Sequence, residues 1–193
     1  VNNKNILITG ATSGIGRESA LALSKMGANI TFIARNKLKA ENLLTDINKI
    51  SNGQNSFIIA DLSSQEDIKI ASEKYIDKNI SLDVLLNNAG LINFKRNETI
   101  DGFEETFAIN HLAYFSLTNL LLDKIKESNS ARIVNVSSAA HQFVKRMNFN
   151  DIHSKKSYKP FQVYGYTKLA NILFTKKLSS MLENKKITVN CLH

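Results

Sequence analysis

Short, continuously apolar segments alternate along this chain with longer segments whose apolar residues recur at helical spacing. The apolar segments predict six strands, at 6–8, 29–34, 56–60, 82–86, 132–136 and 187–192. The segments between them predict helices at about 17–26, 37–49, 64–79, 102–127 and 161–183, and residues 139–160 a long polar loop. Strands that are apolar throughout are typical of a parallel sheet covered on both faces. The pattern therefore predicts one α/β domain over residues 1–193, with a doubly wound parallel sheet.

Glycines and polar residues follow the predicted strands. The first strand leads into Gly10, Gly14 and Gly16, after which a helix begins. This arrangement predicts an anion site, because glycine lets the backbone approach a phosphate and the free N–H groups of the helix attract its charge. An ordinary tight βα turn is the alternative. In doubly wound sheets, ligands bind beyond the carboxyl ends of the strands. Four further polar positions follow other strands: Arg35, Asp61, residues 87–90 and residues 137–138. Together they predict a nucleotide site.

The composition limits the partners and the compartment. The formal net charge is +8, but the lysines are scattered and no nucleic-acid-binding motif accompanies them, so we expect no nucleic-acid partner. A positive surface also helps to collect an anionic cofactor. The single cysteine, Cys191, excludes a disulfide within the chain and favours a reducing compartment. The four histidines lack metal-ligand spacing, so we expect no metal site.

No apolar run reaches the ~18 residues of a membrane span. We expect a cytoplasmic protein, or a membrane-associated one if an anchoring segment preceded Val1.

Tyr164 and Lys168 are the first candidates for acid–base chemistry. They lie four residues apart in a predicted helix and therefore on one face of it. A free tyrosine has a pKa of about 10, and a nearby cation lowers that pKa by favouring tyrosinate. Tyr164 could then exchange a proton with an alcohol or carbonyl oxygen. The pattern is common by chance, and an amphipathic surface pair is the alternative.

Several motifs occur in order along the whole chain: Thr9-Gly10-x-x-x-Gly14-Ile15-Gly16, Asp61-Leu62, Asn87-Asn88-Ala89-Gly90, Asn110, Ser138 and Tyr164-x-x-x-Lys168. This ordered set resembles the short-chain dehydrogenase/reductase family, whose glycine turn has the same spacing. The segments 109–112, 134–141 and 167–171 look most like its retinol-dehydrogenase-like branch. Protochlorophyllide reductases share part of them. The resemblance implies a Rossmann fold and a nicotinamide cofactor.

The resemblance also implies a role for each of four catalytic candidates. Tyr164 would be the general acid/base, and Lys168 would lower its pKa and bind the nicotinamide ribose. Ser138 would hold and polarise the substrate oxygen. It is preferred to Ser137 because the family's serine matches the second of the pair. Asn110 would hold a water that extends the proton path from Lys168. The alternative is that Asn110 is a polar residue in the helix interior whose hydrogen bonds are made by a neighbouring residue.

The residues after the second strand favour NADP over NAD. NAD-binding folds usually place an acidic residue there to bind the ribose 2′-hydroxyl. Here Ala34 stands at that place and Arg35 follows, and an arginine can pair with a 2′-phosphate. The full set of cofactor candidates is Gly10, Ser13, Gly14, Ile15, Gly16, Arg35, Asp61, Leu62, Asn88, Ala89, Gly90, Tyr164 and Lys168.

The implied function is the NADP-dependent interconversion of an alcohol and a carbonyl, on an apolar retinoid-like or other small-molecule substrate. Two alternatives stay open: reduction of a ring double bond, as in protochlorophyllide reductase, and a non-catalytic NADP-binding module. By analogy with the family we expect a homo-oligomer. The family's Pro-Gly contact to the nicotinamide, its substrate-covering segment and its seventh strand have no counterpart before His193.

Overall fold

The structure is a computed structural model, and it describes residues 1–182 and 186–193. The strands are β1 (Asn5–Thr9), β2 (Asn29–Ala34), β3 (Ser56–Ile59), β4 (Val84–Asn87), β5 (Ala131–Val136) and β6 (Ile187–Leu192). The helices are α1 (Gly14–Lys25), α2 (Lys37–Ile50), α3 (Gln65–Ile76), α4 (Glu105–Phe107), α5 (Ala113–Leu120), α6 (Leu122–Lys126) and α7 (Pro160–Met181). Within the described ranges, none of these helices combines the length and apolar character that crossing a bilayer requires.

The strands form one parallel sheet in the order β3-β2-β1-β4-β5-β6. The chain moves outward from β1 to β3, returns to pair β4 with β1, and continues in the opposite direction. This reversal makes the sheet doubly wound and confirms the predicted fold class. It also leaves a crevice beyond the carboxyl ends of β1 and β4, where the sheet changes direction.

Alternate residues of the strands enter two separate apolar cores. Ile6 and Ile8 pack on one face with residues of α1 and α2, such as Ala20 and Leu43. Leu7 enters the other core, with residues from α3, α5 and α7. Burial on both faces explains why the strands are apolar throughout rather than alternating.

A ladder of buried amides and hydroxyls joins the centre of the sheet to two helices. Asn87 and Asn135 are register partners on β4 and β5, and the Asn87 side chain donates to the Asn135 Oδ1 at 2.9 Å. Asn87 also donates to Thr118 of α5, and Asn135 donates to Thr175 of α7. All four are buried, so this ladder orients the two helices against the strands that carry the crevice.

Several predicted boundaries shift in the structure. The first helix begins at Gly14 rather than at Arg17, because the Arg17 N–H already donates to the Ser13 carbonyl and closes the first turn. The Ser64 hydroxyl accepts from Asp67 N and caps α3, which ends at Ile76. The predicted end of the last helix, near residue 183, lies outside the described residues.

The predicted long helix at residues 102–127 is helical over Glu105–Lys126, but it is not one regular α-helix. The segment begins at Glu105, passes through a π-helical turn at Ala108–Leu112, and is interrupted again at Leu121. The π turn contains Asn110, whose side chain bonds to a neighbouring loop rather than pointing along the helix. Such turns are frequent at functional sites. The predicted loop at 139–160 also contains two 3₁₀ helices, Ala139–Phe143 and Phe149–Asp151.

Glu104 begins α4, and its substitution should destabilise the fold. Its buried carboxylate accepts from the backbone N–H groups of Thr106 at 2.8 Å and Phe107 at 2.7 Å. In Glu104→Gln an amide N–H would face one of these donors, so we expect the free energy of unfolding to fall by about 2 kcal/mol, measured by urea denaturation. Asp123→Asn, at a solvent-exposed carboxylate, is the control and should change nothing measurable. An unchanged Glu104→Gln would contradict the assigned capping role.

Candidate active site

A cleft of about 870 Å³ lies at the carboxyl ends of the strands. It brings together all but one of the site residues predicted from the sequence. These are Gly10, Ser13, Gly14, Ile15, Gly16, Arg35, Asp61, Leu62, Asn88, Ala89, Gly90, Ser138, Tyr164 and Lys168. The exception is Asn110, which is fully buried behind the cleft wall. Within the described ranges, no cluster of three or more His, Cys, Asp or Glu side chains could hold a metal.

The three glycines of the first turn differ in what a side chain at each position would meet. Gly10 has a φ of +67°, and a Cβ there would lie 2.7 Å from the Ala89 Cα. A Cβ on Gly16 would lie 2.3 Å from the Gly10 carbonyl oxygen, so α1 starts too close to the turn for any side chain. Gly14 has a φ of +53° and open space beside it. The turn therefore brings bare backbone and the N-terminus of α1 to the cleft, which suits a phosphate.

Thr9 and Asn88 hold this turn against the end of β4. The Thr9 hydroxyl accepts from the N–H groups of Asn88 and Ala89, at 2.9 and 3.0 Å. The Asn88 side chain donates in return to the carbonyls of Thr9 and Gly10. Thr9 was part of the recognised motif but had no predicted role. In the structure, Thr9 joins the carboxyl ends of β1 and β4, the two strands that flank the crevice.

Arg35 lies at the end of β2, with its side chain 69% exposed and 3.5 Å from the Asp61 carboxylate. Burial raises the pKa of Asp61, but hydrogen bonds from Ser63 and the nearby Arg35 guanidinium outweigh it and hold that pKa below its usual value. Asp61 is therefore ionised at neutral pH. At the edge of the cleft, the exposed Arg35 guanidinium therefore lies beside the Asp61 carboxylate, which also accepts hydrogen bonds from Ser63.

Lys168 and Tyr164 meet as the helical spacing predicts. The Lys168 Nζ lies 5.4 Å from the centre of the Tyr164 ring and donates to the Val136 carbonyl at 3.1 Å. Lys168 is only 2% exposed, and this burial lowers its pKa from 10.5 to about 8. The lysine therefore remains mostly protonated at pH 7. A buried cation therefore lies beside the Tyr164 ring.

The two serines after β5 have different surroundings. The Ser137 hydroxyl is buried and donates to the Lys168 carbonyl at 2.9 Å, which ties β5 to α7. The Ser138 hydroxyl accepts from the Ala140 N–H at 3.1 Å and keeps its own hydrogen available to the cleft. This difference favours Ser138 as the group that contacts a substrate oxygen, and leaves Ser137 a structural role.

Asn110 is satisfied inside the protein. Its amide accepts from Leu91 N and donates to Leu91 O, both at 2.8 Å, and it also reaches the Thr167 hydroxyl. A Cβ on Gly90 would lie 3.4 Å from the Asn110 Oδ1 and 3.5 Å from the Lys168 Nζ. Asn110 therefore shapes the loop beside Lys168. The predicted water-holding role stays a prediction.

Asn171 is a site residue that the sequence reasoning missed. Its amide donates to the Asn110 carbonyl at 2.9 Å and is 3.4 Å from the Val136 carbonyl, the same oxygen that accepts from Lys168. It also pairs with the His111 ring at 2.9 Å. Helical spacing could have identified Asn171, because positions 164, 168 and 171 lie on one face of a helix.

Known proteins resemble this chain over its whole length. The family model for short chain dehydrogenases matches residues 4–193. Retinol dehydrogenase 12 of Mus musculus is 38% identical over 196 residues, covering 100% of this chain and 61% of that protein. Polyprenol dehydrogenase of Homo sapiens is 40% identical over 191 residues, covering 95% of this chain and 58% of that protein. This chain thus spans about three fifths of the length of these relatives.

A solved structure resembles it equally broadly. A short chain dehydrogenase from Escherichia coli CFT073, complexed with NADPH, has a TM-score of 0.80 at 26% identity, covering 99% of this chain and 76% of that one. The matched region includes the glycine turn, the segment 87–90 and the Tyr-x-x-x-Lys pair, which here meet in one cleft. The chain belongs to the short-chain dehydrogenase family, in its retinol-dehydrogenase-like branch.

Proposed function

We propose that this chain carries the cofactor and catalytic sites of an NADP-dependent oxidoreductase that interconverts an alcohol and a carbonyl. The observation that carries the proposal is the single cleft shared by the glycine turn, Arg35, Ser138, Tyr164 and Lys168. A phosphate-binding turn at one end and an acid–base pair at the other suit a dinucleotide whose reactive ring reaches a small polar substrate group.

The glycine turn fits the cofactor because Gly10 and Gly16 have no room for a side chain, so the turn presents bare backbone to the cleft, and bare backbone can approach a pyrophosphate closely. NADP rather than NAD is proposed from the exposed Arg35 at the end of β2. When bound, the cofactor donates or accepts the hydride. The complex of the Escherichia coli relative with NADPH is consistent with this choice.

The chain's own groups account for the proton. In carbonyl reduction, Tyr164 donates its hydroxyl proton to the substrate oxygen as negative charge develops there. The Ser138 hydroxyl donates a hydrogen bond to the same oxygen, which stabilises that charge. Lys168 stabilises the resulting tyrosinate through its nearby positive charge. Alcohol oxidation uses the same groups in reverse.

An apolar substrate is favoured by the cleft and by the relatives. Leu91, Ile92 and Ala139 line the cleft together with Tyr164. Phe94 and Phe161 are 71% and 60% exposed, and their rings meet edge to face at 6.2 Å. The names of two relatives specify retinol and polyprenol, which are both apolar alcohols. We therefore propose an apolar alcohol or its aldehyde.

A turnover assay tests the proposal. The full-length protein would be incubated in the dark with NADPH and a panel of carbonyls that includes retinal and long-chain aldehydes, and NADPH consumption followed by fluorescence. We expect turnover with at least one apolar aldehyde. NADPH binding without turnover on the whole panel would overturn the proposal in favour of a non-catalytic module. Turnover that requires light would point to double-bond reduction instead.

Arg35→Ala tests the cofactor preference. Losing a charge-assisted bond to the 2′-phosphate should weaken NADPH binding about 10- to 100-fold while leaving NADH binding nearly unchanged. Fluorescence titration of both cofactors measures this. Lys49→Ala removes an equal charge at the far end of α2 and should leave both affinities unchanged. Equal weakening of NADPH and NADH by Arg35→Ala would refute the assignment.

A further inference from the structure

His141 lies three residues after Ser138, in the 3₁₀ helix that follows β5. The Ser138 carbonyl oxygen is bound twice by this residue, by its backbone N–H at 3.1 Å and by its ring Nδ1 at 2.7 Å. The Ser138 hydroxyl is bound at 3.1 Å by the N–H of Ala140, in the same turn. Both polar groups of Ser138 are thus fixed by the turn that His141 closes.

The chemistry of the 2.7 Å contact determines where the ring hydrogen lies. A carbonyl oxygen can only accept, so the Nδ1 of His141 must carry a hydrogen. Neutral imidazole then has its lone pair on Nε2, and protonated imidazole keeps the same Nδ1 donor. Both forms of the ring can therefore donate this bond to Ser138, and its effect on Ser138 should not depend on pH.

Ser138 gains a defined position from this bond. Its backbone is fully extended, with φ −165° and ψ 152°, at the point where the strand changes to the turn. The peptide plane after Ser138 helps to fix the position of its Cα and Cβ, from which the hydroxyl projects. A displacement of about 1 Å in a catalytic group can cost about 100-fold in rate. The His141 side chain holds that plane through a bond which the helical turn alone does not supply.

We propose that His141 is a positioning residue for catalysis, which acts through its Nδ1–H on the Ser138 carbonyl to aim the Ser138 hydroxyl at the substrate oxygen. The proposal rests on the proposed oxidoreductase function. It assigns to the ring nitrogen, rather than to the bulk of the ring, a specific contribution to turnover.

Two variants of the full-length protein separate the donor from the ring. Asparagine places its side-chain N–H close to the position of the histidine Nδ1, whereas phenylalanine keeps a ring but has no donor. We expect His141→Phe to lower kcat about 10- to 100-fold at every pH tested, with NADPH affinity unchanged. His141→Asn should retain most of the wild-type kcat. Gln142→Ala, an exposed neighbour in the same turn, should behave as wild type.

The alternatives predict different results. If the ring acts by packing, for instance against His193, whose ring centre is 5.9 Å away, His141→Phe would keep activity and His141→Asn would lose it. If His141 itself exchanged a proton with substrate, both variants would lose activity and the pH profile would change. Either result overturns the proposal.

A double substitution shows whether the effect passes through Ser138. In a Ser138→Ala background, His141→Phe should cause no further loss of kcat, because there is no hydroxyl left to position. A full additive loss would contradict the proposal. If Ser138→Ala and Tyr164→Phe both retain wild-type turnover, the proposed function fails. If both lose it while His141→Phe does not, only the role of His141 fails.

Discussion

Tyr164→Phe should lower kcat for carbonyl reduction roughly 1000-fold, because it removes the only proton that the proposed mechanism delivers to the substrate oxygen. The ring and its packing beside Lys168 are kept, so NADPH affinity should change far less than kcat. Steady-state kinetics on a confirmed substrate and a fluorescence titration with NADPH measure the two quantities.

Tyr166→Phe is the matched control on the same helix. Tyr166 lies two residues further on and lines a different surface depression, with Arg146 and Phe149. It should retain wild-type kcat. A Tyr164→Phe protein that turned over at the wild-type rate would show that another group supplies the proton, and the mechanism would have to be abandoned.

Lys168→Met should abolish most turnover and yet make the apoprotein more stable at pH 7. Burial lowers the pKa of Lys168 from 10.5 to about 8, which corresponds to a penalty of about 3 kcal/mol for keeping the charge inside. The hydrogen bond to Val136 offsets about 1 kcal/mol of this. In the variant, the Val136 carbonyl would still have the Asn171 side-chain amide as a neighbour at 3.4 Å. We therefore expect a gain of about 2 kcal/mol in urea denaturation.

The lowered pKa of Lys168 also predicts how the free energy of unfolding changes with pH. Between pH 8 and 10.5 the unfolded chain holds a proton on Lys168 that the folded protein has released. Wild-type stability relative to Lys168→Met should therefore rise across that window, and the difference between the two should narrow towards pH 10.5. For the control Lys177→Met, at an exposed position of α7, the stability difference from wild type should not change between pH 8 and 10.5. A destabilised Lys168→Met at pH 7 would contradict the burial argument.

The two results together describe a compromise between stability and catalysis. In the proposed mechanism, Lys168 stays buried at a cost to stability because its charge acts beside Tyr164. Active sites commonly contain such locally unfavourable groups.

Local sequence spacing was sufficient for much of the fold and for most of the cleft. Apolar segments of three to six residues separated by amphipathic ones predicted the parallel sheet, and the carboxyl ends of parallel strands share one edge. Glycine spacing, Arg35 and the Tyr164–Lys168 pair each depend on only a few neighbouring positions, and all lie in the cleft. Their catalytic and cofactor roles stay predictions.

The irregularity of the helix at residues 102–127 could not be predicted from that segment alone. Composition and periodicity in this segment favour a regular helix, whereas the π-helical turn contains Asn110, whose side chain bonds to Leu91, 19 residues earlier. The bond depends on the loop after β4 lying beside this helix. Nothing within the segment itself encodes that neighbour.

The sequence by itself determined the order of strands and helices, the glycine turn and the single helical face that carries Tyr164 and Lys168, because these are periodicities of a few residues. Only the tertiary structure decided that Ser137 is engaged with Lys168 while Ser138 faces the cleft, and that Asn171 links the Asn110 carbonyl to that of Val136. These contacts join strands and helices that are distant in the chain. Which residues meet in these contacts depends on the spatial order of the strands in the sheet, β3-β2-β1-β4-β5-β6. A local sequence pattern does not contain that spatial order.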